Sequence, residues 1–367
     1  MPDPIAALNL VASFDTYQEI AAAEAAIGTL NSDRRVAGLE AIGPLLLRSE
    51  AIASSRIEGL QLSQRNLARA LIDPRAARGT ARAVAANVMA MEQAVALGEV
   101  ERPMVLDDLL AIHRTLMADE AKAKPGELRT EQNWIGGRLD NPSDARYVPP
   151  PESEVERLVD DLVVFVNRDD LPAVAQAAIA HAQLETIHPF IDGNGRVGRC
   201  LIHVVLRRRG VAPRFVPPVS IVLAARPSSY IDGLVEFRDG RIAEWCGSFA
   251  GAAERSARLS VELATAVSLL EVEWYERAGR PRRDAAAARI IPLLPAQPIT
   301  SAATIRAAIG SSHQRALDGL KALEAAGVLR RITESPRDQH FAADELFALL
   351  ERYEARTAGG AMGVGPT

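Results

Sequence analysis

Along most of the chain apolar residues recur every three or four positions, the spacing of one buried helix face. VLDDLLAIHRTLM, residues 105–117, has this spacing and is expected as a core helix. TYQEIAAAEAAIGTL predicts an earlier helix that stops at the Asn31-Ser32-Asp33 turn signal. One helical stretch is expected from Gly43 to Leu71, ended by Asp73-Pro74, and another from Ala81 to Gly98. Helices follow at 152–167 and at 172–187, the second opened by Pro172. From His188 the pattern is loop-like, turning helical over Gly198–Arg209, and two or three helices are expected between Ser228 and Arg277. The rhythm changes in residues 122–151. There Gly, Pro and Asn-Pro surround two short apolar stretches, Trp134-Ile135 and Tyr147-Val148, the pattern of an irregular hairpin with exposed edges.

RAGRPRRD, residues 277–284, is polar, basic and punctuated, and is read as a linker. Beyond it the pattern predicts three helices and a strand at Val328–Ile332. A hairpin turning at Ser335-Pro336 and reaching His340-Phe341 follows, then a last helix over ELFALLERYEAR. Residues 284–350 thus have the order of a winged helix-turn-helix. Ser311-Ser312 can cap the helix that His313, Gln314 and Arg315 begin. Residues 357–367 are expected as a disordered tail.

The chain has 367 residues, 48% hydrophobic and 24% charged, enough for a sizeable core without disulfides or structural metals. That excludes a disordered tail protein, a collagen-like repeat and a small disulfide scaffold. Aromatics are only 4% while alanine is plentiful, which favours helix. Net charge is −5, so there is no global basic excess for nucleic acid. Residues 281–340, however, hold nine Lys or Arg against five Asp or Glu, a local +4 that suits phosphate contacts. No signal peptide and no transmembrane span are expected, and two cysteines, Cys200 and Cys246, fit a reducing cytoplasm. His113, His181 and His203 are expected as core or surface histidines rather than catalysts, and Lys122, Lys124 and Arg129 as a solvated rim.

The chemistry is concentrated in residues 188–199, His-Pro-Phe-Ile-Asp-Gly-Asn-Gly-Arg-Val-Gly-Arg. Gly193 and Gly195 flank Asn194, so the backbone can take positive φ and turn its N–H groups inward as an anion nest. The helix that follows adds positive potential. Arg196 and Arg199, three apart, share a face and suit a polyphosphate. Asp192 supplies a hard oxygen for Mg²⁺, and His188 can accept a proton from an incoming hydroxyl. Together these are the parts of phosphoryl-type transfer.

This stretch resembles the signature of the Fic family, H-x-F-x-[D/E]-G-N-G-R-x-x-R, with every fixed position matched. The resemblance implies a helical bundle that transfers AMP from ATP to a protein hydroxyl. In that scheme His188 is the base and Phe190 packs under the loop. Asp192 holds Mg²⁺, and Gly193, Asn194 and Gly195 cradle the phosphates with Asn194 on the α-phosphate. Arg196 and Arg199 meet the β- and γ-phosphates. Residues 129–137 and 145–151 resemble the family's flap, an edge at which a target segment adds as a strand, with Trp134, Ile135 and Gly136 as its target-docking residues. Tyr230 resembles the residue lining the adenine pocket. Ser54, Glu58 and Gly59 match the family's inhibitory motif, [S/T]-x-x-x-E-[G/N], and Glu58 is expected to pair with Arg199 and block the γ-phosphate.

The expected fold is mainly α, a Fic-type helical bundle with a short β-hairpin flap, followed by a winged helix-turn-helix domain. Its expected parts are a helical region with the inhibitory motif at 1–100, a catalytic core at 101–276, a linker at 277–283, a winged helix at 284–356 and the tail at 357–367. The expected activity is self-inhibited transfer of AMP to a Tyr, Thr or Ser hydroxyl, of a target protein or of the chain itself. Expected partners are ATP with Mg²⁺, that target protein, DNA through residues 284–350, and a second copy of the chain, with no membrane. Three other readings stay open: transfer of another nucleotide or phosphate, removal of AMP by the same site, and a DNA-binding regulator whose Fic domain senses nucleotide.

Overall fold

The computed structural model describes residues 1–32, 42–136, 142–333 and 339–359. Two helices with almost no solvent-facing side form its centre, α7 (Ala173–Ile187) and α8 (Asn194–Arg208). α7 reads AVAQAAIAHAQLETI, small and apolar all round, so neighbouring helices can pack against every face. Around this pair stand α1 (Phe14–Ser32), α2 (Ile42–Ile57), α4 (Gly79–Gly98), α5 (Leu106–Leu116), α6 (Val155–Val166), α9 (Val219–Ala225), α10 (Pro227–Arg238) and the long α11 (Ile242–Arg277).

The single helix expected over Gly43–Leu71 is two. α2 ends at Ile57, Gly59 takes φ +80°, and Ser63 caps the short α3 (Gln64–Ile72) by accepting from Asn66 N–H. That break puts Glu58 on a turn rather than inside a helix. The motif helix also begins earlier than expected, at Asn194 rather than Gly198, because Gly193 already supplies the left-handed N-cap at φ +82°.

The C-terminal unit contains α12 (Ala286–Ile290), β1 (Ile299–Ser301), α13 (Ala302–Ile309), α14 (His313–Ala325), β2 (Arg330–Arg331), β3 (His340–Ala342) and α15 (Asp344–Gly359). Its antiparallel sheet has the order β1-β3-β2, with Thr300 opposite Phe341 and Arg331 on the other side of Phe341. β1 was not expected. Three residues between Pro298 and a helix are too short a run for an alternating pattern. The expected tail begins too early, since α15 runs on to Gly359 with Thr357 buried, while residues 360–367 lie outside the described residues. So do Asp33 of the first turn signal, Gly137 of the flap and the Ser335-Pro336 turn.

The apolar interior falls into two main clusters. One surrounds α7 and α8. The other joins Leu30 of α1 and Leu45 and Leu46 of α2 to Trp274 of α11 and to Leu320, Phe341 and Leu346 of the C-terminal unit. Among the described residues no helix is long and apolar enough to cross a membrane.

Candidate active site

The loop joining α7 to α8 is shaped by a few specific contacts. His188 ends α7 in the left-handed region, φ +51°, and its N–H still donates to Leu184 O at 2.8 Å. The Asn194 amide closes the loop. Its Oδ1 accepts from Phe190 N–H and its Nδ2 donates to Phe190 O, both at 2.8 Å. The Phe190 ring is fully buried and stacks on His113 at 3.9 Å between ring centroids. The His113 Nε2 lies 3.1 Å from Asp192 O, and its Nδ1 accepts from Gly126 N–H. His113 is therefore the floor of the loop, kept neutral by burial that lowers its pKa to about 4.

Above this floor are the charged groups. The first N–H groups of α8 have no intrahelical acceptor and are open to an anion. Of the two glycines expected at positive φ, Gly193 has it and Gly195 does not; Gly195 is helical and is small for a different reason. A Cβ there would meet Glu58 Oε1 at 2.1 Å. Arg199 is 1% exposed and enclosed by donors' partners from two other helices. It donates Nε to Ser54 Oγ at 2.7 Å, Nη2 to Ser54 O at 2.9 Å and to Glu58 Oε1 at 2.7 Å, and Nη1 to Tyr230 Oη at 3.5 Å. One turn away along the same seam, His203 Nε2 lies 3.4 Å from Glu50 Oε1, both buried. Burial opposes the charge on Glu58, but Arg199, with help from Arg196, outweighs it and holds the carboxylate below its usual range.

Arg196 is also buried, yet its Nε has no hydrogen-bond partner, and its Nη2 has only Met117 Sδ at 3.6 Å and Asp192 Oδ1 at 3.8 Å. It borders a cavity of ≈500 Å³ together with Glu58, Asp192 and Met117. The Asp192 carboxylate is largely exposed to it. Among the described residues no group of three or more His, Cys, Asp or Glu could hold a resident metal. A lone exposed carboxylate fits a cation that arrives with phosphate oxygens of its own.

His188 is mostly buried, its Nδ1 without a hydrogen-bond partner and 4.0 Å from Glu185 Oε2, and burial pushes its pKa down to about 4, so the imidazole is neutral near pH 7. Beside it the flap is a single antiparallel bridge, Ile135 opposite Tyr147, with Ile135 N–H donating to Tyr147 O at 2.9 Å. Trp134 and Ile135 are half-buried and Gly136 is exposed. The Tyr147 hydroxyl donates to Thr186 O at 2.9 Å, which fastens the flap to α7.

Three sequence readings change here. Arg129 is not a solvated rim residue: it is 2% exposed and its guanidinium donates to main-chain carbonyls, among them His188 O at 2.9 Å. Lys122 is exposed and Lys124 half-buried. Tyr230 stands behind Arg199. Its hydroxyl is shared with His181 Nε2 at 2.9 Å, so it is not free to meet a base. On the same helix Ile231 and Val235 are about two-fifths exposed and share a face with Arg238, whose guanidinium lies 4.2 Å over the Tyr147 ring. Asn194, too, has spent its side-chain amide on Phe190, which leaves its main-chain N–H for an anion. The sequence reading missed Glu185 altogether. It sits one turn before His188, facing Arg199 and Glu58, and burial raises its pKa to about 7. Its signal was only that it is the one acid in a helix of mostly small, buried residues. Cys200 is fully buried, its thiol pushed up to about 12, and is no nucleophile.

The Fic/DOC family model matches residues 103–206, and the family's N-terminal model matches residues 17–96. The chain belongs to the Fic/DOC family. Protein adenylyltransferase fic-1 of Caenorhabditis briggsae is 32% identical over 125 residues, 33% of this chain and 23% of that protein. Protein adenylyltransferase Fic of Culex quinquefasciatus is 32% identical over 177 residues, 46% of this chain and 32% of that one. The chain thus spans about a quarter to a third of the length of these curated relatives. A Fic family protein from Desulfovibrio desulfuricans shares the fold over 91% of this chain and 97% of its own, with 22% identity and a TM-score of 0.55.

Proposed function

We propose that this Fic protein is a self-inhibited protein adenylyltransferase. The target hydroxyl oxygen bonds to the α-phosphorus of ATP, the bond from that phosphorus to the bridging oxygen breaks, and pyrophosphate leaves. The hydroxyl proton passes to neutral His188. The main-chain N–H groups at the start of α8, with Arg196, hold the phosphate charge that develops. Asp192 would hold Mg²⁺ entering with the nucleotide, which neutralises phosphate charge. Ile231 and Val235, on the face of α10 that they share with Arg238, offer the apolar surface on which a base would rest. Support from relatives comes from their names, adenylyltransferases matched over the Fic region.

The observation that carries the proposal is the fork on Arg199. A buried guanidinium three residues after Arg196 is filled by Ser54 and Glu58, and the same motif helix leaves Arg196 Nε without a partner. A half-filled anion site blocked by an internal carboxylate is what a self-inhibited polyphosphate site requires. Incubation of the wild-type and Glu58→Gly proteins with [α-³²P]ATP and a lysate tests it. Label appears on protein with the variant, and mass spectrometry identifies the acceptor; label from [γ-³²P]ATP instead would mean phosphate transfer.

We read the C-terminal unit, from its helix–strand–helix–helix–strand–strand order, as a winged helix in which the exposed His313, Gln314 and Arg315 begin the recognition helix. A salt-dependent gel shift with the full chain tests contact with DNA.

A further inference from the structure

Behind His188 lies a buried cation without a carboxylate partner. Among the described residues no acid is within ion-pair distance of Arg129. Its guanidinium donates instead to four carbonyls: His188 O at 2.9 Å, Ile187 O at 3.5 Å, Glu131 O at 3.0 Å and Pro150 O at 2.5 Å. Its own N–H donates to Pro189 O at 2.8 Å. A charge buried against neutral acceptors is costly, and that burial pulls its pKa below the usual arginine value. The acceptors fall into two sets. Residues 187–189 are the turn that carries His188 in its left-handed conformation, and residues 131 and 150 are the two feet of the flap.

We propose that Arg129 is a positioning residue that fixes the distance between the His188 ring and the flap edge. No neutral side chain has five donors in a fork wide enough to reach both sets. This inference rests on the adenylyl-transfer reading, in which the flap presents the hydroxyl that His188 deprotonates.

The test compares Arg129→Met and Arg129→Lys in a Glu58→Gly background. For Arg129→Met, kcat falls about 100-fold while the Kd for ATP is unchanged, the mark of a misplaced reacting group. Arg129→Lys recovers part of the loss. Loss of ATP affinity in step with kcat, or a kcat within about threefold of the parent, overturns the proposal. A second readout does not need transfer: burial is the main cause of the low His188 pKa, Glu185 and Glu58 oppose it, and the Arg129 cation, like Arg238, lowers it further, so the His188 ring resonance titrates at higher pH in Arg129→Met. An unmoved titration also overturns it. A parent Glu58→Gly protein without transfer activity sinks the transfer reading alone.

A different set of contacts supports a second inference, again resting on that reading. The turn bearing Glu58 is held at both ends by α15. Before it, Arg56 pairs with Glu354 at 2.8 Å; after it, Gln64 Nε2 donates to Glu354 Oε1 at 2.9 Å. Arg65 pairs with Asp344 at 2.5 Å and lies 4.5 Å over the Phe347 ring. We infer that the C-terminal unit sets how firmly Glu58 stays on Arg199. Glu354→Ala removes two of these contacts at a half-exposed site. Label transfer is expected to rise about two- to fivefold, the scale of a partly exposed ion pair, with a matching fall in the Kd for ATP. In the Glu58→Gly background the same substitution changes neither. Equal effects in both backgrounds, or no effect in either, overturn the inference; the binding arm holds whether or not transfer occurs.

Discussion

Glu58 Oε1 lies 2.7 Å from Arg199 Nη2 and directly over the backbone of Gly195, so one carboxylate covers both the guanidinium and the start of the motif helix. In the proposed reading, inhibition is occupancy: the protein supplies its own anion to its own anion site.

Removing that anion should release the site. Glu58→Gly is expected to raise incorporation of α-labelled ATP at least about tenfold, since a charge-assisted hydrogen bond to a buried group contributes about 1.5–3 kcal/mol. Equal incorporation by wild type and variant would dispose of the brake.

Gly195 is predicted to be coupled to Glu58. A methyl at 195 would stand 2.1 Å from Glu58 Oε1, 2.9 Å from Arg199 Nη1 and 3.1 Å from Glu185 Oε1. Gly195→Ala should destabilise the wild type by about 1–3 kcal/mol, the cost of overpacking, and markedly less when Glu58 is already Gly. Thermal unfolding of the four proteins measures the coupling, and additive losses would contradict it.

His188→Ala should abolish transfer, by about 100-fold or more, while ATP binding persists. Retained label incorporation would move the base elsewhere.

Glu185 makes a pH prediction. Burial first, and then the Glu58 charge, raise its folded pKa to about 7 from 4.5. A carboxyl raised on folding contributes stability that is full below pH 4.5 and is lost as pH rises through 7. Glu185→Gln should therefore gain on wild type as pH increases from 5 to 8, by up to about 3 kcal/mol. The gain should shrink in a Glu58→Gly background. Unfolding curves at both pH values check it, and a pH-independent difference would rule it out.

The helices and the twelve-residue motif were legible because both depend on local pattern: apolar spacing for α5, an opening proline for α7, and fixed residue types at fixed positions for residues 188–199. What was not legible depended on distance in space. Arg129 looks like any surface arginine until the flap and the base turn close around it. The break at Gly59 was hidden because Glu58-Gly59 sits among good helix formers, and only the tertiary pull of Arg199 and α15 shows why the chain turns there. The role of Gly195 was misassigned to conformational freedom when the cause is the approach of a side chain 137 positions earlier in the sequence. Tyr230 was assigned to the base because the sequence does not say which face of α10 looks outward.

His188 caps the C-terminus of α7 and is held at φ +51°, a conformation that asparagine adopts with little strain. The shape of the turn and the identity of the base are therefore separable. Asparagine at position 188 would keep the loop, the helix start and both arginines while removing the proton acceptor. In the adenylyl-transfer reading proposed above, the chain is thus a single codon change from a nucleotide receptor, with ligand occupancy as its whole output.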